Sequence, residues 1–238
     1  MSYRWYPESW VLSWGPRAGY GRNYDYAGVL QDEERNIGVN GQFARNINLG
    51  GNYSSEMERY AGINFWKTRY GFNVNINTSR RMGIGLFVNG GDGIRYEEDD
   101  PLLGKETRIN INFNVRPFTR LSSTLQVNMS HLKRFGSGES LVDAKIFRSV
   151  TNFQFTDRWA LRMILERNTE IVERDTDENT FAANVLATYR VNAGTAFFIG
   201  YDDRYAQGDT IAGGHFQTTA RERTNRAIFT KLQYLFRL

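Results

Sequence analysis

Few side chains in this sequence are of types that do chemistry, and their spacing supports none of the common reactions. The histidines are His131 and His215. A Ser–His hydrolase would need a serine on the same side as one of them. Ser130 is the sequence neighbour of His131, and neighbours on a strand point to opposite faces. The G-x-S-x-G elbow is absent, and Gly136-Ser137-Gly138 reads as a loop. Gly83 and Gly85 alternate along a strand, unlike the glycine loop that opens a helix and cradles phosphate. Acidic clusters occur at Asp32, Glu33 and Glu34, at Glu97, Glu98, Asp99 and Asp100, and at Glu173, Asp175, Asp177 and Glu178. Hard cations favour such oxygens, but no EF-hand spacing is present, so solvated loops are expected. Glycosidase carboxylates cannot be paired without their separation in space. Cysteine is absent, which removes disulfides and thiolate metal sites. No catalytic residue, metal or cofactor is therefore expected, and the chain does not read as an enzyme.

The elements that would position these residues are strands. From Thr107 to Phe118, Ile109, Ile111, Phe113, Val115 and Pro117 alternate with Arg108, Asn110, Asn112, Asn114 and Arg116. A period of two puts every apolar group on one side of a strand, whereas a helix would scatter them. The pattern recurs over Leu121–His131, Arg69–Asn77, Trp159–Glu170, Phe181–Asn192 and Asn225–Leu238. Weaker alternation marks Trp10–Tyr26, Ile37–Phe43, Ile47–Tyr53, Met82–Gly90, Leu141–Phe155 and Thr195–Tyr205. The total is about twelve strands.

The connections sort into two classes that alternate along the chain. Arg45-Asn46, 79–81, 118–120, 156–158 and 192–194 are short. Leu30–Asn36, Ser54–Tyr60, Tyr96–Lys105, Lys133–Ser140, Ile171–Asn179 and Ala206–Asn225 are longer and polar. Transmembrane barrels have short turns at one end and longer loops at the other.

Composition agrees. The 238 residues include 16 Phe, 13 Tyr, 5 Trp and 23 Gly but 4 Pro, which suits a sheet with tight turns. Mean hydropathy is −0.55, and no run approaches the roughly 18 apolar residues of a spanning helix. A spanning strand shows only one face to lipid, so its mean hydropathy is unremarkable. The net charge is +4, with 30 basic residues interleaved among 26 acidic ones. No basic block marks a nucleic-acid footprint. Met1 to Trp14 shows no signal-peptide pattern, so an envelope protein of this sequence is expected to be a mature form or the C-terminal fragment of a longer precursor.

The expectation is an all-β, antiparallel up-and-down transmembrane barrel of about twelve strands, or part of a larger one, occupying 1–238 as one outer-membrane domain. A soluble up-and-down barrel or sandwich would also alternate. The sorted connections, the strand lengths and the large polar groups on consecutive strands favour the membrane. The inward polar set is Arg108, Asn110, Asn112, Arg116, Asn128, Arg148, Gln154, Arg162, Glu166, Arg190, Lys231 and Arg237. It reads either as a pore lining with anion preference or as a network filling the interior, since a barrel of about twelve strands lies between plugged and open sizes. Trp159, Tyr189, Tyr234 and Phe236 fall near short-turn ends, where aromatic girdles meet headgroups.

The C-terminal segment, with Leu232, Tyr234, Phe236 and Leu238 alternating, resembles the closing strand of Gram-negative outer-membrane proteins, which the barrel-assembly machinery reads. The second half, from Leu121 to Leu238, also resembles an uncharacterised Bacteroidetes-type family. Its members carry an N-terminal domain similar to family-9 carbohydrate-binding modules ahead of a membrane barrel. The residues that carry the resemblance are 143–149 (Asp-Ala-Lys-Ile-Phe-Arg-Ser), 153–156, 159–162, 199–201 and 229–237. It implies outer-membrane localisation in a Gram-negative cell and partners comprising the lipid bilayer and the assembly machinery. Glycans are implied as partners through a domain outside this chain. The function it implies is an anchor or conduit for a glycan-associated surface or periplasmic protein. A passive small-solute, porin-like channel and an outer-membrane hydrolase are the alternatives.

Overall fold

The computed structural model describes residues 1–172, 178–207, 209–211, 214–216 and 221–235, with only the backbone described at 178, 209–211 and 214–216. Among the described residues there is no helix, hence none long and apolar enough to cross a membrane.

The strands are β1 (Val11–Tyr24), β2 (Leu30–Phe43), β3 (Ile47–Tyr60), β4 (Ile63–Ile76), β5 (Met82–Arg95), β6 (Leu102–Phe118), β7 (Leu121–Arg134), β8 (Ser140–Gln154), β9 (Trp159–Val172), β10 (Glu178–Arg190), β11 (Thr195–Gln207), β12 (Asp209–Ile211), β13 (Gly214–Phe216) and β14 (Glu222–Tyr234). Strands β12 and β13 pair only with each other. The other twelve form one sheet in strict sequence order, the antiparallel up-and-down architecture expected from the alternation. The chain divides into two compact units: 1–79, 83–111 and 129–143 form one, and 80–82, 112–128 and 144–238 the other.

In the first unit the pairing register separates two faces. Ile37, Tyr53 and Tyr70 lie side by side on β2, β3 and β4, and one row along come Val39, Gly51 and Phe72. The row nearest the short turns is Phe43, Ile47, Ile76 and Ile84. The opposite face carries Asn40, Gly50 and Asn73 in one row and Gly38, Asn52 and Gly71 in the next. This Asn–Gly checkerboard has a steric basis. A Cβ at Gly50 would sit 2.7 Å from the Asn40 Oδ1, and one at Gly71 would collide with the Asn52 amide. The missing side chains make room for amides lying flat across the strands.

The second unit repeats the separation. Trp159, Tyr189, Phe197 and Leu232 form an apolar row across β9, β10, β11 and β14. Behind it run Arg162, Leu186, Gly200 and Phe229, then Glu166, Ala182, Arg204 and Asn225. The Phe229 ring covers Gly200, where any Cβ would clash.

Burial is inverted relative to a water-soluble sheet. Ile37, Tyr53 and Tyr70 are 59%, 48% and 62% exposed, while Ser54 and Lys67, on the opposite face, are both 5% exposed. Charged residues are almost never buried unless paired, and monomeric soluble proteins rarely show apolar patches of this kind.

One expectation is corrected. The strands run further than the alternation indicates, so the connections are less sharply sorted by length. β2 begins at Leu30 and takes in Asp32, Glu33 and Glu34, which the sequence reading places in a loop. β3 continues to Tyr60, and its link to β4 is only Ala61 and Gly62. Both have positive φ (47° and 79°), the geometry of a type I′ hairpin. Hydrophobic alternation fades where side chains leave the apolar zone, but backbone pairing continues, held there by charge.

Candidate functional site

On the polar face of the second unit lies a groove of about 620 Å³, lined by Arg148, Arg162, Glu166, Asn184 and Arg204 among others. Strand parity brings them together: Glu166 pairs with Ala182 and Ala182 with Arg204, so residues two apart on each strand share the face. Arg148 Nε lies 3.4 Å from Glu166 Oε2, and both side chains are more than two-fifths exposed. Arg204 Nε lies 3.4 Å from Asp202 Oδ2 on the same face, and Asn225 Nδ2 donates to that oxygen at 2.7 Å. Three guanidiniums (Arg148, Arg162, Arg204) face two carboxylates (Glu166, Asp202), an excess of one positive charge. Exposed pairs of this kind are worth little to stability. Chemically, that excess suits the groove to attracting small anions rather than cations.

The first unit's polar face is tighter and more acidic. Lys67, side chain 5% exposed, lies between Glu56 (3.6 Å) and Glu58, with which it makes a short ion pair. Arg69 Nη2 donates to Glu106 Oε2 at 2.8 Å, and Arg108 Nε to Glu106 Oε1 at 2.6 Å. Lys105, the strand neighbour of Glu106, turns to the other side of β6, where its Nζ reaches Asp92 Oδ1 at 2.6 Å, while Asp92 Oδ2 accepts the Thr68 N–H at 2.8 Å. In the connection beyond β5, the Tyr96 hydroxyl donates to Glu58 Oε2 at 3.2 Å. Desolvation first, and then this bond to a carboxylate, push the Tyr96 phenol up to about 12.

The predicted inward set maps onto these faces in part. Arg148, Arg162 and Glu166 meet at the groove. Gln154 shares parity with Arg148, and Arg190 shares parity with Asn184. Lys231 pairs with Phe198 and holds its ammonium 6.0 Å over that ring. Arg108 joins the Glu106 cluster. Asn110, Asn112 and Arg116 follow it at alternate positions of β6, and Asn128 shares parity with Thr124 on β7. Asn112 accepts from Asn114, which accepts from Thr124. Arg237 lies outside the described residues.

Among the proposed girdle residues, Trp159 and Tyr189 are register partners with ring centroids 4.7 Å apart, and Tyr234 pairs with Thr195 at the same end. Of the terminal signal, Leu232 and Tyr234 are exposed, whereas Phe236 and Leu238 lie outside the described residues. The acidic positions Glu173, Asp175 and Asp177 and the side chains of Glu178 and His215 are also outside them. His131 Nδ1 stands 3.6 Å from Asp143 Oδ2, while the Ser130 hydroxyl donates to Glu106 at 3.4 Å. The serine and the histidine are thus engaged separately, as their adjacency implied.

Sequence reasoning missed the buried charges Lys67 and Asp203 and read the buried Glu33 as a loop acid. Each is a charged residue in a strand flanked by opposite charges on neighbouring strands, a signal readable only once the register is known.

Solved structures similar in fold include the NanC porin in a rhombohedral crystal form, 8% identical, TM-score 0.40, covering 93% of this chain and 99% of that one. They also include OmpT, an outer-membrane protein of Vibrio cholerae folded in vitro, 9% identical, TM-score 0.40, with 93% and 98% covered. The CymD monoaromatic hydrocarbon channel is 7% identical, TM-score 0.34, with 82% and 74% covered. Likenesses this distant set no function for the chain. No family model and no curated protein matches the sequence.

Proposed function

We propose that this chain forms the wall of a Gram-negative outer-membrane β-barrel whose polar face lines a wet interior. One observation carries the reading: in-register apolar rows such as Ile37–Tyr53–Tyr70 are exposed while Lys67 is buried among carboxylates. In water that arrangement wastes the hydrophobic effect. In a bilayer the exposed rows meet acyl chains, and β2 to β11 each have a hydrogen-bonded neighbour on both sides, as lipid requires.

Within that barrel we infer a conduit for small solutes with a lean toward anions. The half-exposed Arg148, Arg162 and Arg204 support this over an interior packed shut. The alternative of an anchor for a glycan-associated partner domain is supported by the short motifs of the second half, such as 143–149 and 229–237. On this reading the bilayer and the assembly machinery are partners, and Trp159, Tyr189 and Tyr234 form the girdle.

Refolding into detergent and then planar bilayers tests both levels. The expected result is a heat-modifiable, β-rich species with steady conductance and a reversal potential on the anion side in a salt gradient. A folded monomer soluble without detergent would remove the barrel, and a folded but silent barrel would leave the anchor alone.

A further inference from the structure

Two clusters on the apolar face share a design that conduction does not use. On β1 and β2, Glu33 is buried and accepts from Arg35 Nη2 at 2.6 Å and from Arg22 Nε at 3.1 Å. The Arg22 guanidinium lies 5.4 Å over the Tyr20 ring. On β11 and β14, Asp203 is buried and accepts from the Tyr201 hydroxyl at 2.7 Å and the Tyr205 hydroxyl at 3.2 Å. Arg223 Nε and Arg226 Nη2 lie 3.0 and 3.6 Å from its oxygens, and Arg223 stands 5.1 Å over the Tyr205 ring. Each cluster is one buried carboxylate, two arginines and flanking tyrosines.

Both sit on the lipid-side face. Arg22 pairs with Glu33 and Tyr20 with Arg35, in phase with Ala18 and Ile37. Asp203 is in phase with Ile199 on β11 and pairs with Arg226. Both lie toward the strand ends remote from the short turns. A strand of 14 residues rising about 3.3 Å each and tilted about 40° stands roughly 35 Å tall, against an apolar band of about 25 Å. Residues in that final stretch stand at headgroup height.

We propose that these two clusters bind phosphate-bearing headgroups of anionic lipid from the outer leaflet, an inference that rests on the membrane reading above. Two guanidiniums offer ten N–H donors, and one carboxylate accepts about four. Donors therefore remain after the clamp is made, and the side chains of Arg22, Arg35, Arg223 and Arg226 are between two-fifths and two-thirds exposed. Two positive charges less one negative leave each site at +1. The carboxylate fixes the guanidinium planes, and the planar fork of arginine matches a phosphate bidentately. The tyrosines fill the level between hydrocarbon and headgroup, where amphipathic rings settle.

The test is refolding into phosphatidylcholine bilayers with and without phosphatidylglycerol, following thermal loss of the heat-modifiable form, and native mass spectrometry of retained lipid. The expected result is a higher transition with the anionic lipid. Arg223→Gln/Arg226→Gln and Arg22→Gln/Arg35→Gln should each weaken anionic-lipid retention at their own site about thirtyfold, the effect of removing two surface cations. If either pair folds poorly, the wild-type comparison of the two bilayers decides alone. Normal folding with no preference for phosphatidylglycerol overturns the lipid sites and leaves the barrel standing. An equal gain from inorganic phosphate overturns the lipid assignment in favour of a free anion. Failure to fold in either bilayer overturns the barrel reading itself.

Discussion

Trp5 and Trp14 exchange both of their backbone hydrogen bonds, Trp5 N–H to the Trp14 carbonyl at 2.8 Å and Trp14 N–H to the Trp5 carbonyl at 3.1 Å. Their indoles stack with centroids 4.6 Å apart. The contact is part of a short added ribbon: the Ala18 N–H donates to the Met1 carbonyl at 2.9 Å and the Tyr3 N–H to the Pro16 carbonyl at 3.2 Å. Gly15 admits it, because a Cβ there would strike the Tyr3 carbonyl. β1 stands first in the strand order, so 1–5 covers part of an edge that would otherwise present open donors and acceptors.

Removing residues 1–5 should therefore speed amide exchange at Trp14 and Ala18, whose donors then lose their partners. Hydrogen exchange of the detergent-refolded protein measures this. Unchanged protection would mean that another strand takes the vacated edge, as closure of the barrel requires.

Lys67→Ala should destabilise the fold by about 3 kcal/mol, because it strips the buried cation from between Glu56 and Glu58 and leaves two neighbouring carboxylates without the charge they share. Urea titration in detergent reads it. A loss below about 1 kcal/mol would place the cluster among ordinary surface pairs.

Tyr96 gives a pH signature. Its phenol is neutral up to about 12, whereas in the unfolded chain it ionises near its ordinary 10. Below 10 both states hold the proton and the group costs nothing. Between about 10 and about 12 the unfolded chain loses its proton first, so stability falls as pH rises. Difference absorbance of phenolate between wild type and Tyr96→Phe should show one tyrosine titrating late. A difference curve centred on the ordinary value would contradict the geometry.

In the groove, Arg148→Gln should shift the reversal potential away from anions and Glu166→Gln further toward them. Each should change stability by less than about 1 kcal/mol, since both side chains are half-exposed. Identical selectivity in the two variants would show that ions do not pass this face.

Ala61 holds φ at +47° in the two-residue turn ahead of Gly62. Alanine has a Cβ that resists this conformation, whereas Asn-Gly is the favoured type I′ pair. Ala61→Asn should raise stability by about 1 kcal/mol, measurable as a later urea midpoint with unchanged slope. An earlier midpoint would mean that the turn is not the strained element.

The sequence alone determined the period and the sides. Ile109 to Pro117 alternating with Arg108 to Arg116, and the same rhythm elsewhere, indicated the strands, about twelve of them, and which neighbours on a strand share a face, because a strand turns its side chains by a local rule. It also located the short turns, where polar and glycine residues interrupt that rhythm. Partners across strands were decided only in three dimensions. Glu33 read as a loop acid until the register set Arg22 beside it, and Lys67 gave no sign that Glu56 and Glu58 flank it. The upper reaches of β2 and β3 were illegible for the same reason. Beyond the apolar zone nothing in hydropathy distinguishes a paired strand from a polar loop, and what keeps the chain extended there is charge on neighbouring strands. Pairing is a relation between distant segments, so the pattern of either segment by itself does not contain it.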